Sequence, residues 1–188
     1  METSKATWNT FRKLIETPDL PDLGPAPRTT RLPLAELNRK VEEFLDAKEL
    51  SAAIRPLVRS AALLWHDYLD ESHAISQNIH NANGSFLHAI MHRREPDYAN
   101  AKYWFNRAGR HPIFPEIARQ TERFLDGQQH TKLLSLLVPR GQWDPFAFVD
   151  ACEATVQRLS SGDINREILC ALQQLEFDAL LSDIFPGR

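Results

Sequence analysis

The sequence has little cysteine and no long apolar run, and these two absences exclude several classes of protein. Cys152 and Cys170 are the only cysteines in 188 residues and do not form a C-x-x-C pair. We therefore expect two reduced core thiols rather than a disulfide framework or a cysteine-based zinc site. No apolar run approaches 18 residues, and the first residues lack the apolar segment of a signal peptide. The sequence thus predicts no membrane span and a cytoplasmic protein.

Neither sign of charge predominates, since the formal net charge is only -3 with histidine neutral. This value favours neither nucleic acid nor an anionic membrane as a partner. The glycine-rich phosphate loop and the G-x-S-x-G nucleophile motif are both missing from the sequence. Residues 88–112 are a local exception, because they contain five basic residues and two acidic ones. Such a segment suits either anion binding or pairing with acids elsewhere in the chain.

Alternating patterns rich in Val, Ile and Thr are missing too, which argues against β-strands. Apolar residues instead recur at three- and four-residue spacing from Pro33 onward, so we predict an all-α, compact helical bundle of antiparallel αα-hairpins. An N-terminal helix over 5–16 precedes five prolines between Pro18 and Pro33. This division predicts an N-terminal helix and proline-rich arm (1–32) packed on a single all-α domain (33–188). The further predicted helices span 56–79, 85–95, 97–108, 115–126, 130–138, 145–160 and 163–184, with a break at 81–84.

The segment 85–112 has the spacing of a tetratricopeptide-like helix pair around Pro96. The residues that carry this spacing are Ala89, Tyr98, Ala101, Phe105 and Ala108. Only one copy is visible, whereas a repeat array needs about three copies to bury its faces. We interpret the segment as one αα-hairpin within the bundle.

Histidine is concentrated in one quarter of the chain, with six of the seven histidines between His66 and His111. On a continuous helix over 56–79, one stripe contains His66, Asp70, His73 and Gln77, while Asp67, Glu71 and Asn78 form the solvent face. On the next helix, His88, His92 and Glu95 form a second stripe. A short connection predicts that the two helices are antiparallel neighbours, so that the stripes can face each other.

Three chemistries fit two facing stripes of this composition. The first is a divalent metal site with His66, Asp70, His73, His88 and His92 as ligands, which could activate water for hydrolysis at an open position. The second is acid–base catalysis by His66 or His73, oriented by Asp70. The third is capture of a small anionic ligand by Arg93, Arg94 and Lys102.

The same residues also admit a purely structural interpretation. Buried His–Asp pairs can hold helices together, and Arg93, Arg94, Glu95 and Asp97 can form an interhelical ion-pair network. The protein would then be a non-catalytic interaction module that uses its tetratricopeptide-like hairpin. The sequence leaves open whether the protein is an enzyme, and it leaves a protein partner and a homodimer open as well.

A longer motif in this quarter carries a family resemblance. It reads W-H-D-Y-L-D-E-S-H-A-I-S-Q, followed by H-A-I-M-H-R-R-E-P-D-Y-A-N-A-K-Y-W-F-N-R-A-G-R-H-P. Over about residues 62–115 the chain resembles a family of uncharacterised bacterial and fungal hypothetical proteins. The resemblance implies membership and assigns neither an activity nor catalytic residues.

Overall fold

The fold consists of packed helices, as the spacing of apolar residues predicts. A computed structural model describes residues 4–126, 130–157 and 164–185, except for the side chains of residues 4, 5, 164 and 165. The helices are α1 (Ser4–Ile15), α2 (Leu34–Ala47), α3 (Arg55–Trp65), α4 (Leu69–Ser76), α5 (Ala82–Arg94), α6 (Tyr98–Ala108), α7 (Phe114–Asp126), α8 (Thr131–Leu137), α9 (Pro145–Val156) and α10 (Ile164–Ile184). A short 3-10 turn covers Pro139–Gly141. No β-strand occurs in the described residues, which confirms the all-α class.

The predicted continuous helix over 56–79 is wrong, because the chain leaves the helix after Trp65 and starts a new one at Leu69. Asp67 has a left-handed backbone with φ 61°. Its N–H donates to the carbonyl of Leu64 at 3.3 Å, and the N–H of Tyr68 donates to the carbonyl of Leu63 at 2.9 Å. This pair of bonds is the Schellman end of a helix, which usually places glycine at the left-handed position.

Two buried ion pairs stabilise Asp67 in this left-handed conformation. Asp67 Oδ1 accepts from Arg94 Nη2 at 2.6 Å, and Asp67 Oδ2 accepts from Arg28 Nε at 2.8 Å. Burial alone would raise the pKa of Asp67, but the two guanidinium groups hold it below its ordinary value. The predicted solvent-facing position of Asp67 is therefore wrong, since its side chain is fully buried.

The second difference concerns residues 81–84, which the sequence predicts to break the chain. Only Asn81 lies outside the helix, where its side chain accepts from the N–H of Gly84 at 2.8 Å as an N-cap. Residues 82–84 form the first turn of α5. A Cβ atom at Gly84 would collide with Ile79, so only glycine permits this close approach.

The proline-rich segment after α1 lies along α3, α5 and α10. Trp65 Nε1 donates to Thr17 Oγ1 at 3.0 Å. Arg166 Nη2 of α10 pairs with Asp22 Oδ2 at 2.5 Å, and Leu23 between these contacts is buried. These bonds place the segment beside the end of α3, where it forms one wall of a surface groove described below.

Helix α5 is buried on every side between α3, α4, α6 and α9, because all residues from Gly84 to Arg94 are shielded from solvent. Its most extensive neighbour is α6, across the turn that contains Pro96. The αα-hairpin is thus present, and its likeness to a tetratricopeptide unit stays a prediction. A helix buried all round is normally apolar. Helix α5 departs from that rule by carrying two histidines and two arginines, and the two histidines belong to the candidate site.

Two of the predicted helices extend past the part of the chain that the structure describes. Residues 158–160 of the helix predicted over 145–160 and residue 163 of the one predicted over 163–184 lie outside the described residues. Within them, no helix combines the length and apolar character needed to cross a bilayer.

Candidate metal centre

Three histidines from two helices meet at the α4–α5 interface. One side-chain nitrogen each of His73, His88 and His92 lies within 4.8 Å of the others. Their ring centroids are 4.6 Å apart for His88 and His92, 4.8 Å for His73 and His88, and 5.2 Å for His73 and His92. Within the described part of the chain, this is the one group of histidine, cysteine and acidic residues with metal-ligand spacing.

Helix geometry explains how the group forms. His88 and His92 are four residues apart on α5, so their rings stack one turn apart with an interplanar angle of 18°. The short connection from Ser76 to Ala82 turns α4 back against α5 and brings His73 over both rings. In a tetrahedral zinc site with bonds of 2.0–2.1 Å, ligand nitrogens lie about 3.3 Å apart. To close around one ion, the three ligand nitrogens would have to approach one another by up to about 1.5 Å.

His88 is the residue whose surroundings fit a metal best. It is 2% exposed, yet neither of its ring nitrogens has a hydrogen-bond partner among the described residues. Burial lowers its pKa to about 3, with help from His92 and His73. The imidazole is therefore neutral at pH 7, with a lone pair free to bind a cation. Trp104 of α6 stacks on the ring at 4.0 Å and closes that side.

His92 has a polar neighbour near each of its ring nitrogens. Nε2 lies 3.1 Å from Asn100 Nδ2, in the first turn of α6. Nδ1 lies 3.2 Å from Glu95 Oε2 and 4.0 Å from Asp97 Oδ2. Burial lowers the pKa of His92, and His73 lowers it further, while Asp97 opposes both effects.

Two of the five predicted ligands lie outside this group. His66 caps the end of α3, where its Nδ1 accepts from the backbone N–H of Leu32 at 3.2 Å. Asp70 is exposed in the first turn of α4. The helix break at Asp67 is the physical cause, because it abolishes the phase relation that a continuous helix would impose on His66, Asp70 and His73. We call His73, His88 and His92 the histidine triad.

The three cations predicted to capture an anion all have acidic partners within the protein. Arg93 pairs with Glu176 at 2.6 Å, and both side chains are fully buried. Arg94 pairs with Asp67, and Lys102 pairs with Asp150 of α9. Of the alternatives that the sequence leaves open for Arg93 and Arg94, the geometry favours the ion-pair network, although its acids are Glu176 and Asp67 rather than Glu95 and Asp97.

A surface groove of about 400 Å³ lies beside the histidine triad. One wall is the proline-rich segment, and the other is the start of α4; its lining comprises Pro25, Pro27, Arg31, Asp67, Tyr68, Leu69, Asp70, Glu71 and Glu95. Glu95 lines this groove and also contacts His92. Glu95 therefore lies on the boundary between the histidine triad and the open surface.

His66 provides a test of the electrostatics around the helix break. Burial and the charge of Arg28 lower its pKa to about 4, whereas the unfolded chain titrates at 6.5. Below pH 6.5 the unfolded state binds a proton that the folded state refuses, so acid destabilises the fold. We expect wild type to lose about 1.4 kcal/mol more unfolding free energy per pH unit than His66→Asn between pH 6.5 and 4. Urea unfolding at several pH values measures this difference, with exposed His80→Asn as control. Parallel pH profiles for wild type and His66→Asn would contradict it.

Sequence reasoning missed the two α6 residues that enclose the triad, Asn100 and Trp104. Neither residue is among those that the sequence predicts for the site. Asn100 and Trp104 lie four residues apart on α6, the helix that pairs with α5, and this spacing matches that of His88 and His92 on α5. That match is the feature of the sequence that points to them. Hairpin register, which needs the tertiary structure, decides which α5 residues they meet.

Comparison with known proteins assigns nothing to this site. No protein-family model, curated protein or solved structure matches the chain significantly. The case for function therefore rests on the geometry of the histidine triad and its surroundings.

Proposed function

We propose that the protein binds one divalent transition-metal ion, of the zinc class, at His73, His88 and His92. The observation that carries the proposal is His88, a buried imidazole for which the described residues provide no hydrogen-bond partner at either ring nitrogen. A buried polar atom without a partner costs about 1–3 kcal/mol, and native proteins contain few of them. An ion bound at one nitrogen would satisfy the lone pair of a ring that is already neutral at pH 7.

The chemistry of the donors favours zinc and its neighbours over calcium or magnesium. Imidazole nitrogen is a ligand of intermediate softness that suits Zn²⁺, Ni²⁺, Cu²⁺ and Fe²⁺, whereas Ca²⁺ and Mg²⁺ prefer oxygen. The triad contains no thiolate, and both cysteines are elsewhere; burial raises the pKa of Cys152 to about 12. Metal binding, rather than cysteine chemistry, is therefore the function that these residues support best.

Zinc titration of untagged protein tests the proposal directly. We expect one Zn²⁺ per chain, with stabilisation of about 2.7 kcal/mol at a free metal concentration of 100 times Kd. For a chain of this length that corresponds to a rise in Tm of about 5–10 °C. His73→Ala removes a half-buried ligand and should abolish this rise, while the exposed His80→Ala should retain it. Elemental analysis of the purified protein checks stoichiometry.

The result that would overturn the proposal is equally specific. Wild type that melts at the same temperature with zinc, with chelator and with neither would remove it. So would equal zinc affinity in wild type, His73→Ala and His88→Ala, because the metal would then be bound elsewhere. Trp104 stacks on His88, so quenching of its fluorescence by Cu²⁺ or Ni²⁺, lost in Trp104→Phe, would locate the ion independently.

Anion capture by Arg93, Arg94 and Lys102 is not part of this proposal, since each cation already pairs with an acid. Metal-assisted hydrolysis, the reaction predicted from the sequence, requires that water hold one coordination position of the ion. The side chain between the triad and the groove is that of Glu95. The role of Glu95 therefore decides whether water can bind the ion.

A further inference from the structure

We propose that Glu95 is the fourth protein ligand of the ion, which makes the site a three-histidine, one-carboxylate set. This inference rests on the proposed metal binding at the histidine triad and concerns its completion. It assigns Glu95 a coordinating role that the sequence pattern leaves unassigned. The ion would then join α4, α5 and the turn that follows α5.

The distance between Glu95 and His92 carries the argument. Glu95 Oε2 lies 3.2 Å from His92 Nδ1, and this buried nitrogen has no hydrogen-bond partner within the described ranges of the chain. The contact is thus close without having the direction of a hydrogen bond. Two ligands of one tetrahedral ion with bonds of 2.0–2.2 Å lie about 3.3–3.5 Å apart. The observed pair is already near that separation.

The other nitrogen of His92 supports the same assignment. Nε2 lies 3.1 Å from the side-chain amide of Asn100, whose oxygen and nitrogen can exchange places by rotation of the amide. With the amide oxygen toward the ring, Nε2–H donates to Asn100 and Nδ1 carries the lone pair. A metal-bound histidine commonly donates its second ring N–H in this way, which fixes its tautomer and orientation.

The position of Glu95 fits a ligand that closes the site from the groove. It directly follows the last residue of α5, and its side chain is 26% exposed. Burial raises the pKa of its carboxyl group, and the nearby His73 opposes that effect. Glu95 contacts His92, and its carboxylate would have to turn toward His73 and His88 to complete the site, because Glu95 is not among the residues whose ligand atoms all lie within 4.8 Å of one another. A Glu95 ligand leaves no position for water in a tetrahedral site, so the ion would stabilise structure rather than activate water.

Metal titration of Glu95→Gln tests the inference, with Asp97→Asn as the matched control. Asp97 Oδ2 lies 4.0 Å from the same His92 nitrogen, and Asp97 is more exposed than Glu95. Its negative charge therefore acts on His92 much as that of Glu95 does, but Asp97 is too far away to make direct contact. We expect Glu95→Gln to weaken Zn²⁺ binding at least tenfold and Asp97→Asn to leave it within about twofold. In the Co²⁺-loaded protein, the visible d–d absorption bands should change for Glu95→Gln and stay unchanged for Asp97→Asn.

The outcomes separate the two proposals. Failure of wild type to bind Zn²⁺ or Co²⁺ removes the metal site itself. Wild-type affinity and Co²⁺ spectrum in Glu95→Gln leave the metal site intact and overturn the role of Glu95. Weaker binding with an unchanged Co²⁺ spectrum also overturns it, because Glu95 would then act only by positioning His92. Urea unfolding of the metal-free variants checks that each is folded, and Glu95→Asp, which keeps the carboxylate, should bind more tightly than Glu95→Gln.

Discussion

Asp67→Ala is expected to destabilise the protein by about 3–5 kcal/mol, one of the two largest effects that the structure predicts. The substitution leaves Arg94, which is 1% exposed, buried without a charged partner. The guanidinium group of Arg94 also donates to the backbone carbonyls of Leu64 at 2.7 Å and Asp22 at 3.0 Å. It thereby joins the end of α3 to the proline-rich segment. Loss of its counter-charge should weaken both connections.

Urea unfolding measures the effect, and two further variants separate its causes. Asp67→Asn removes the charge but keeps a residue type that tolerates the left-handed backbone. It should therefore still show most of the destabilisation expected for Asp67→Ala. Asp70→Ala, three residues away and exposed, should change the free energy of unfolding by no more than about 0.5 kcal/mol. Full stability of Asp67→Asn would show that the backbone conformation, not the ion pair, is what matters at this position.

Glu176→Ala is the second large effect, also about 3–5 kcal/mol. Glu176 of α10 accepts two bonds from Arg93 of α5, at 2.6 and 3.2 Å, and neither side chain is exposed. Arg93 also lies over the ring of Phe148, 4.5 Å from its centroid. The pair thus connects the central helix to the last helix through the core, and removal of the acid leaves a charge that cannot reach water.

A double substitution tests whether the cost comes from the orphaned charge. Arg93→Met combined with Glu176→Leu removes both charges and keeps apolar volume, so it should recover most of the stability lost in Glu176→Ala. The exposed pair of Arg39 and Glu43 provides the control, and Glu43→Ala should cost no more than about 0.5 kcal/mol. A double variant as unstable as Glu176→Ala would mean that shape at this site outweighs charge.

The break of the predicted helix at Asp67 has a cause that lies far away in the chain. Periodicity alone favours a continuous helix over 56–79, because nothing near Asp67 is a glycine or a proline. The break depends on Arg28 and Arg94, which are 39 and 27 positions away in the chain and stabilise Asp67 in a conformation it rarely adopts. A local pattern carries no information about such distant partners.

The candidate site shows the same limit at the level of single residues. Helical spacing alone placed His88 and His92 on one stripe, since that relation depends only on the four-residue interval within α5. It could not place His66, whose phase relative to His73 changes when the helix breaks. It also placed Glu95 on the stripe of His88 and His92, and the observed contact between His92 and Glu95 has this three-residue spacing at the end of α5.

The sequence by itself therefore determined the all-α class, most helix positions and the pairing of α5 with α6, because each follows from apolar periodicity and short connections within about 30 residues. Only the tertiary structure decided which histidines meet and which charges are buried. Arg93, Arg94, Asp67 and Glu176 look like surface residues in any local window. They are buried because each finds an opposite charge from a part of the chain that is distant in sequence, and that compensation exists only once the helices have packed.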